Sequence, residues 1–158
     1  MKKIKVLIFI AALIFGIAIA KVFAFSFGFS LPAFSIFSCE KGSGIAKTEV
    51  RDLADFKEIE VSGNIEIEVT AQKEFSVSVE ADNNLLEYIK TEISGDTLKI
   101  YTKKGISPVT KTRLIIAMPE LSGLDTSGAS KVLANNLSGD SLNIDISGAS
   151  KIEINGQV

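Results

Sequence analysis

Past residue 44 the chain alternates apolar and polar positions with a period of two. Ile65, Ile67 and Val69 alternate with Glu66 and Glu68, and Phe75, Val77 and Val79 alternate with Ser76 and Ser78. Leu142, Ile144 and Ile146 alternate with Asn143 and Asp145, and shorter runs of the same kind surround Lys99, Ile115 and Glu153. This period places each apolar set on one face of a strand, and the β-branched residues in these sets fit a half-buried sheet surface. Turn-forming residues separate the runs: Ser62-Gly63-Asn64, Asp82-Asn83-Asn84, Ser94-Gly95-Asp96, Ser138-Gly139-Asp140 and Asn155-Gly156. The pattern predicts an all-β domain. Only residues 84–89 have the character of a short helix, capped by Asn83 or Asn84.

A repeat sharpens that reading. Thr126-Ser127-Gly128-Ala129-Ser130-Lys131-Val132 returns 20 residues later as Ile146-Ser147-Gly148-Ala149-Ser150-Lys151-Ile152. Val61-Ser62-Gly63-Asn64-Ile65 is a worn copy of it. Twenty extended residues reach roughly 66 Å at most, enough for one coil of two or three short strands. Stacked coils would set each Ser-Gly-Ala-Ser corner above the next, with Gly supplying positive φ and Ala and Ser keeping the corner slim. The expected fold is therefore a right-handed parallel β-helix, a solenoid with coils of about 20 residues, at least from Leu121 onward. A sandwich of hairpins is the competing arrangement.

The first 39 residues are different material. Lys2, Lys3 and Lys5 precede fifteen uncharged residues, 6–20, and the apolar run resumes after Lys21 as a Phe-rich stretch broken by Pro32. The pattern matches a secretory signal, and predicts an N-terminal hydrophobic helix. Fifteen helical residues rise roughly 22 Å, short of the roughly 30 Å hydrocarbon core. Three outcomes stay open: cleavage near Ala18 and Ala20 or near Val22 and Ala24, retention as an anchor, or lipid attachment at Cys39 within Ile36-Phe37-Ser38-Cys39. All three carry residues 40–158 across a membrane. The predicted organisation is a signal peptide or membrane anchor over 1–24, an apolar then polar linker over 25–44, and the β domain over 45–158.

Composition narrows the function. The chain has 158 residues, no His, no Trp and one Cys. The absence of His removes the commonest general base and zinc ligand, and a lone Cys cannot form an intramolecular disulfide. The net charge of −2 conceals a basic leader and an acidic remainder, with 13 basic and 19 acidic residues over 40–158. Such a balance gives no reason to expect nucleic-acid binding.

Several blocks occur together in order: Gly42-Ser43-Gly44, Phe56-Lys57-Glu58-Ile59-Glu60-Val61-Ser62-Gly63, Val77 through Leu86, Ile89-Lys90-Thr91-Glu92-Ile93, Thr97-Leu98-Lys99-Ile100, Met118-Pro119-Glu120-Leu121 and the two Ser-Gly-Ala-Ser corners. Over about residues 42–158 the chain resembles the head GIN domain family of auto-transporter adhesins. The resemblance implies a bacterial envelope protein with a parallel β-helix domain, and brings no catalytic site with it. Domains of that family usually continue through more Ser-Gly coils, so the β domain is expected to be incomplete at its C-terminus.

Catalytic motifs are weak. Asp125-Thr126-Ser127-Gly128 is near the Asp-Thr-Gly of aspartic proteases, but Asp145-Ile146-Ser147-Gly148 shows the frame to be the repeat corner. Residues 105–111 lack the Gly-Lys-Ser/Thr ending of a phosphate-binding loop. Ser127, Ser130, Ser147 and Ser150 have no His to activate them; Lys131 and Lys151 are the only conceivable bases, and corner hydrogen bonds are the simpler role. Asp125 and Asp145 share a place in consecutive coils and would stack roughly 5 Å apart. The reading is thus a non-catalytic, exported domain, periplasmic, membrane-anchored or at the cell surface, with an adhesive, binding or structural role. Its binding candidates are Asp125, Ser127, Ser130, Lys131, Asp145, Ser147, Ser150 and Lys151. The expected partner is an envelope protein or a surface polysaccharide, with membrane contact through the N-terminal segment and no cofactor or metal. The alternative is a carbohydrate-active β-helix enzyme using Asp125 and Asp145; a purely structural stalk is a third reading.

Overall fold

Each alternating run becomes a strand. The structure, a computed structural model, describes residues 39–139 and 141–157. The expected N-terminal helix and anchor fall outside those residues. The chain first forms β1 (Glu40–Lys41), β2 (Ala46–Arg51), β3 (Glu58–Gly63), β4 (Glu66–Ala71) and β5 (Ser76–Asp82). It continues through β6 (Ile89–Ser94), β7 (Thr97–Thr102), β8 (Ile106–Ser107) and β9 (Arg113–Met118). It closes with β10 (Gly123–Gly128), β11 (Lys131–Ser138), β12 (Asn143–Gly148) and β13 (Lys151–Gln157).

These strands build two main sheets and a ribbon. The five-stranded sheet runs β12-β10-β3-β7-β6, the six-stranded sheet β13-β11-β4-β9-β5-β2, and β1 pairs with β8. The inward residues Ile59, Val61, Leu98, Ile100 and Leu124 of the first sheet meet Ile67, Val69, Val77, Val79, Leu114, Ile116, Val132 and Ala134 of the second. All are at most 2% exposed and belong to one apolar cluster. Burying such side chains is worth about 1.5–3 kcal/mol each, which makes this layer the main source of stability.

The regular right-handed parallel β-helix is not what forms. The sheets are mixed: β12, β10, β3 and β7 are mutually parallel, as are β13, β11, β4 and β9, but β6, β5 and β2 run antiparallel to their neighbours. One cause is local and the other is not. Ser94-Gly95-Asp96 closes a tight hairpin between β6 and β7, with Gly95 at φ 63°. β5 turns back to pair with β9 instead of with its predecessor β4. Period-two alternation is identical in parallel and antiparallel strands, so the pattern alone could not separate them. Among the described residues there is also no helix. Residues 83–88 form successive turns, in which Leu85 N–H donates to Asp82 C=O at 2.8 Å and Tyr88 N–H to Leu85 C=O at 3.0 Å. Six residues bridging two fixed strands are too few to sustain a helix.

Where the repeat lies, the register is parallel and unbroken at the corner. Ser62, Ser127 and Ser147 align across β3, β10 and β12, followed by Gly63, Gly128 and Gly148. These glycines have φ of 120°, 97° and 93°. A methyl group on Gly128 would come within 2.6 Å of the Gly63 carbonyl oxygen. Gly128→Ala therefore combines a left-handed backbone with a backbone collision and is expected to cost about 3 kcal/mol or more. Gly95→Ala, with positive φ but nothing within 4 Å, is expected to cost about 1 kcal/mol. Denaturant melts giving equal losses for the two variants would show that close stacking is not the constraint.

Candidate functional site

The candidate residues from the sequence divide between two sheet faces and the corner between them. Asp125 and Asp145 sit on the outer face of the five-stranded sheet, because Leu124 and Thr126 face inward. The register sets Asp145 beside Asp125, Asp125 beside Glu60, and Glu60 beside Lys99. In the neighbouring outward row, Asn143, Gly123, Glu58 and Thr97 align. Gly123 contributes no side chain and is covered by Glu58, whose Cγ would lie 3.0 Å from a methyl there. Along this row runs a shallow groove of about 420 Å³ bounded by Glu58, Glu60, Thr97, Asp125, Asn143 and Asp145. Thr97 Oγ1 donates to Glu58 at 2.9 Å, and Lys99 Nζ pairs with Glu60 at 3.0 Å. The groove is thus acidic, open to solvent and built on rigid strands. Among the described residues no group of three or more His, Cys, Asp or Glu is arranged to hold a metal ion.

Lys131 and Lys151 lie on the six-stranded sheet, in an outward row with Glu66 and Arg113. Lys151 also pairs with Glu153, whose carboxyl is held below its ordinary pKa, first by the hydrogen bond from Lys151 and then by its charge. The lysines therefore do not face the aspartates.

The serines stay at the corner. Ser127 Oγ donates to Val61 C=O at 3.4 Å, Ser130 Oγ to Gly63 C=O at 3.2 Å, and Ser130 N–H donates to Ser150 Oγ at 3.3 Å. Ser130 is only 2% exposed. Ala129 N–H donates to Gly63 C=O and Ala149 N–H to Gly128 C=O, so each turn is tied to the one beneath it. Ser147, on exposed β12, lies in register beside Ser127.

Two features escaped the sequence reading. Glu58 and Glu60 belong to the groove, whereas Glu66 and Glu68 belong to the other sheet, so these four acidic residues are divided between two faces. The second is Asp82, a fully buried carboxylate in a turn motif. Its Oδ1 accepts from Gly44 N–H at 2.6 Å, and its Oδ2 from Val109 and Thr110 N–H at 2.9 and 3.1 Å. A methyl on Gly42 would collide with this carboxylate. Residues 40–44 have the composition of a linker, yet they are pinned here. Glu40 N–H donates to Gly105 C=O, Gly42 N–H to Ser107 C=O, and Ser43 N–H to Asn84 Oδ1. Lys104 Nζ pairs with Glu40 at 2.7 Å and lies 3.9 Å from the Tyr88 ring centre.

Burial alone would raise the pKa of Asp82, but the N–H donors of Val109, Thr110 and Gly44 outweigh it and hold the pKa below 3.8. A folded-state pKa below the unfolded one gives stability that is present above about pH 4 and is lost as the pH falls through the folded value. Asp82→Asn should lower the melting temperature at pH 7 and flatten its decline below about pH 4. Thermal melts of both proteins across that range check this; parallel curves would show that Asp82 carries none of the acid sensitivity.

The family described as "Putative auto-transporter adhesin, head GIN domain" matches residues 55–158, and the chain belongs to it. No curated protein matches the sequence. Among solved structures, a "putative adhesin" from Bacteroides fragilis matches with a TM-score of 0.67 and 21% identity over 72% of this chain and 55% of its own. One from Parabacteroides merdae matches at 0.62 and 22% over 72% and 54%. A "putative lipid binding protein" from Parabacteroides distasonis matches at 0.64 and 26% over 71% and 50%. The chain spans about half the length of these structures.

Proposed function

We propose that this member of the head GIN domain family is an exported, non-catalytic binding domain of the bacterial envelope, and that the acidic groove of the five-stranded sheet is its adhesive face. The observation that carries this reading is the aligned row of Glu60, Asp125 and Asp145 along the groove. Side chains on successive strands repeat about every 4.8 Å across the sheet. A rigid row of acceptors at that spacing suits an extended polymer offering hydroxyl or cationic groups, such as a surface polysaccharide, or an extended segment of an envelope protein. The family description supports adhesion. The exposed setting of Asp125 and Asp145, with Lys99 and Glu60 ion-paired next to them, favours recognition over catalysis.

Binding of the purified chain to an array of envelope polysaccharides tests the proposal. Asp125→Asn with Asp145→Asn should weaken binding roughly tenfold or more while leaving the melting temperature unchanged. Unchanged binding would remove the groove from the reading. Polysaccharide turnover that Asp145→Asn abolishes would establish the enzyme reading in its place.

A second reading rests on a different cavity, of about 320 Å³, lined by Phe56, Phe75 and Pro119 and rimmed by Asp55, Lys57, Asp96 and Glu120. Phe56 and Phe75 pack with ring centres 5.0 Å apart. An apolar floor with a charged rim suits a single acyl chain, and the Parabacteroides distasonis relative is named for lipid binding. In that case a fluorescent fatty acid should bind saturably, and Phe75→Ala should weaken it severalfold. Non-saturable binding, or binding insensitive to Phe75→Ala, would exclude the cavity as a lipid site.

A further inference from the structure

We infer that the β1–β8 ribbon and its flanking turns form a surface that lies against an anionic phospholipid bilayer. The inference is independent of the groove and of the apolar cavity.

The charge distribution is the first ground. Residues 39–45 and 103–111 carry Lys41, Lys103, Lys104 and Lys111 against a single acidic residue, Glu40. The rest of residues 40–158 carries nine basic against eighteen acidic side chains. Even with the Asp82 carboxylate that the ribbon encloses, four lysines stand against two carboxylates, which makes the ribbon a cationic spot on an acidic body. Lys104 is engaged by Glu40, but Lys41, Lys103 and Lys111 are exposed and have no carboxylate within ion-pairing distance among the described residues. Phosphate headgroups attract such lysines within about one Debye length, roughly 8–10 Å. The same field repels the remaining surface, so the charges that exclude other orientations favour this one.

Exposed apolar residues are the second ground. Ile45 is 62% exposed and Val109 59%. Gly44, the residue before Ile45, approaches Val109: a methyl on Gly44 would lie 3.6 Å from Val109 Cγ1. Val109 follows Pro108 in an exposed turn, flanked by Lys111. Apolar tips among lysines suit the headgroup boundary, where the aliphatic groups leave water and the ammonium groups stay in it.

Rigidity is the third ground. The Asp82 carboxylate holds Gly44, Val109 and Thr110 at once, so the two apolar tips are fixed on one base. Glu40 is already paired to the domain, and only Ser38 and Cys39 separate it in sequence from the apolar run of residues 22–37.

The test uses the full chain reconstituted into vesicles, with Cys39→Ser as background. A fluorophore is attached at Val109→Cys or, as control, at Ile144→Cys on β12. β12 is the opposite edge of its sheet from β6, four strand spacings or roughly 20 Å away. Spin-labelled lipid serves as quencher. In vesicles containing phosphatidylglycerol, quenching at 109 should exceed that at 144 severalfold. The difference should vanish in phosphatidylcholine vesicles. Replacing Lys41, Lys103 and Lys111 by Glu should weaken the contact on the order of a hundredfold, with an unchanged melting temperature as evidence of folding. Equal quenching at both positions, or quenching at 109 that ignores phosphatidylglycerol and the lysine substitutions, would overturn the inference. If the triple variant melts lower, the same comparison is made with Gln at the three positions.

Discussion

Three glycines, Gly63, Gly128 and Gly148, lie side by side at the corner where the chain leaves one sheet for the other. The backbones approach so closely that a side chain on Gly128 or Gly148 would overlap a carbonyl of the neighbouring strand. That approach lets the N–H groups of Ala129 and Ala149 reach the glycine carbonyls, which locks one turn onto the next. Register follows from the lock, and nearly every other alignment follows from register. Because side chains alternate, a shift of one residue would send Leu124 and Thr126 outward and Asp125 into the core. The inward column of Val61, Thr126 and Ile146 and the outward column of Glu60, Asp125 and Asp145 are therefore two results of one constraint.

The two ends of the stack differ for related reasons. At one end, β6 and β2 are antiparallel edges, and the turns beside them receive the β1–β8 ribbon through the buried Asp82. At the other end, β12 and β13 continue the parallel order, and Ile144, Ile146 and Ile154 remain 38 to 50% exposed although each lies in line with buried residues of the preceding strands. The groove spans β7, β3, β10 and β12 of the five-stranded sheet, and the cationic ribbon lies at the first end.

Much of the domain was legible in the chain. Alternation located strands such as Glu66–Ala71 and Ser76–Asp82, and the Ser-Gly-Ala-Ser copies indicated which segments lie side by side. The pairing partners of β2, β5 and β6 were not legible, because an isolated alternating run carries no sign of direction. At the corner, the hydroxyls of Ser127 and Ser130 reach backbone carbonyls. Asp82 was hidden because its ligands, Gly44, Val109 and Thr110, are backbone amides from distant segments, and an amide leaves no trace in residue identity.

The sequence by itself determined the class of structure, the faces of its strands and the corner geometry. These depend on local properties: side-chain alternation, β-branching and the conformational freedom of glycine. Tertiary structure alone decided that the sheets are mixed, that Glu58 and Glu60 share a face with Asp125 and Asp145 while Lys131 and Lys151 do not, and that a buried carboxylate fastens residues 40–44 to the domain. The physical reason is the same in each case. Strand direction and cross-strand neighbours are chosen by hydrogen bonds between segments far apart in the chain, and those bonds are made by backbone groups that nearly every residue shares.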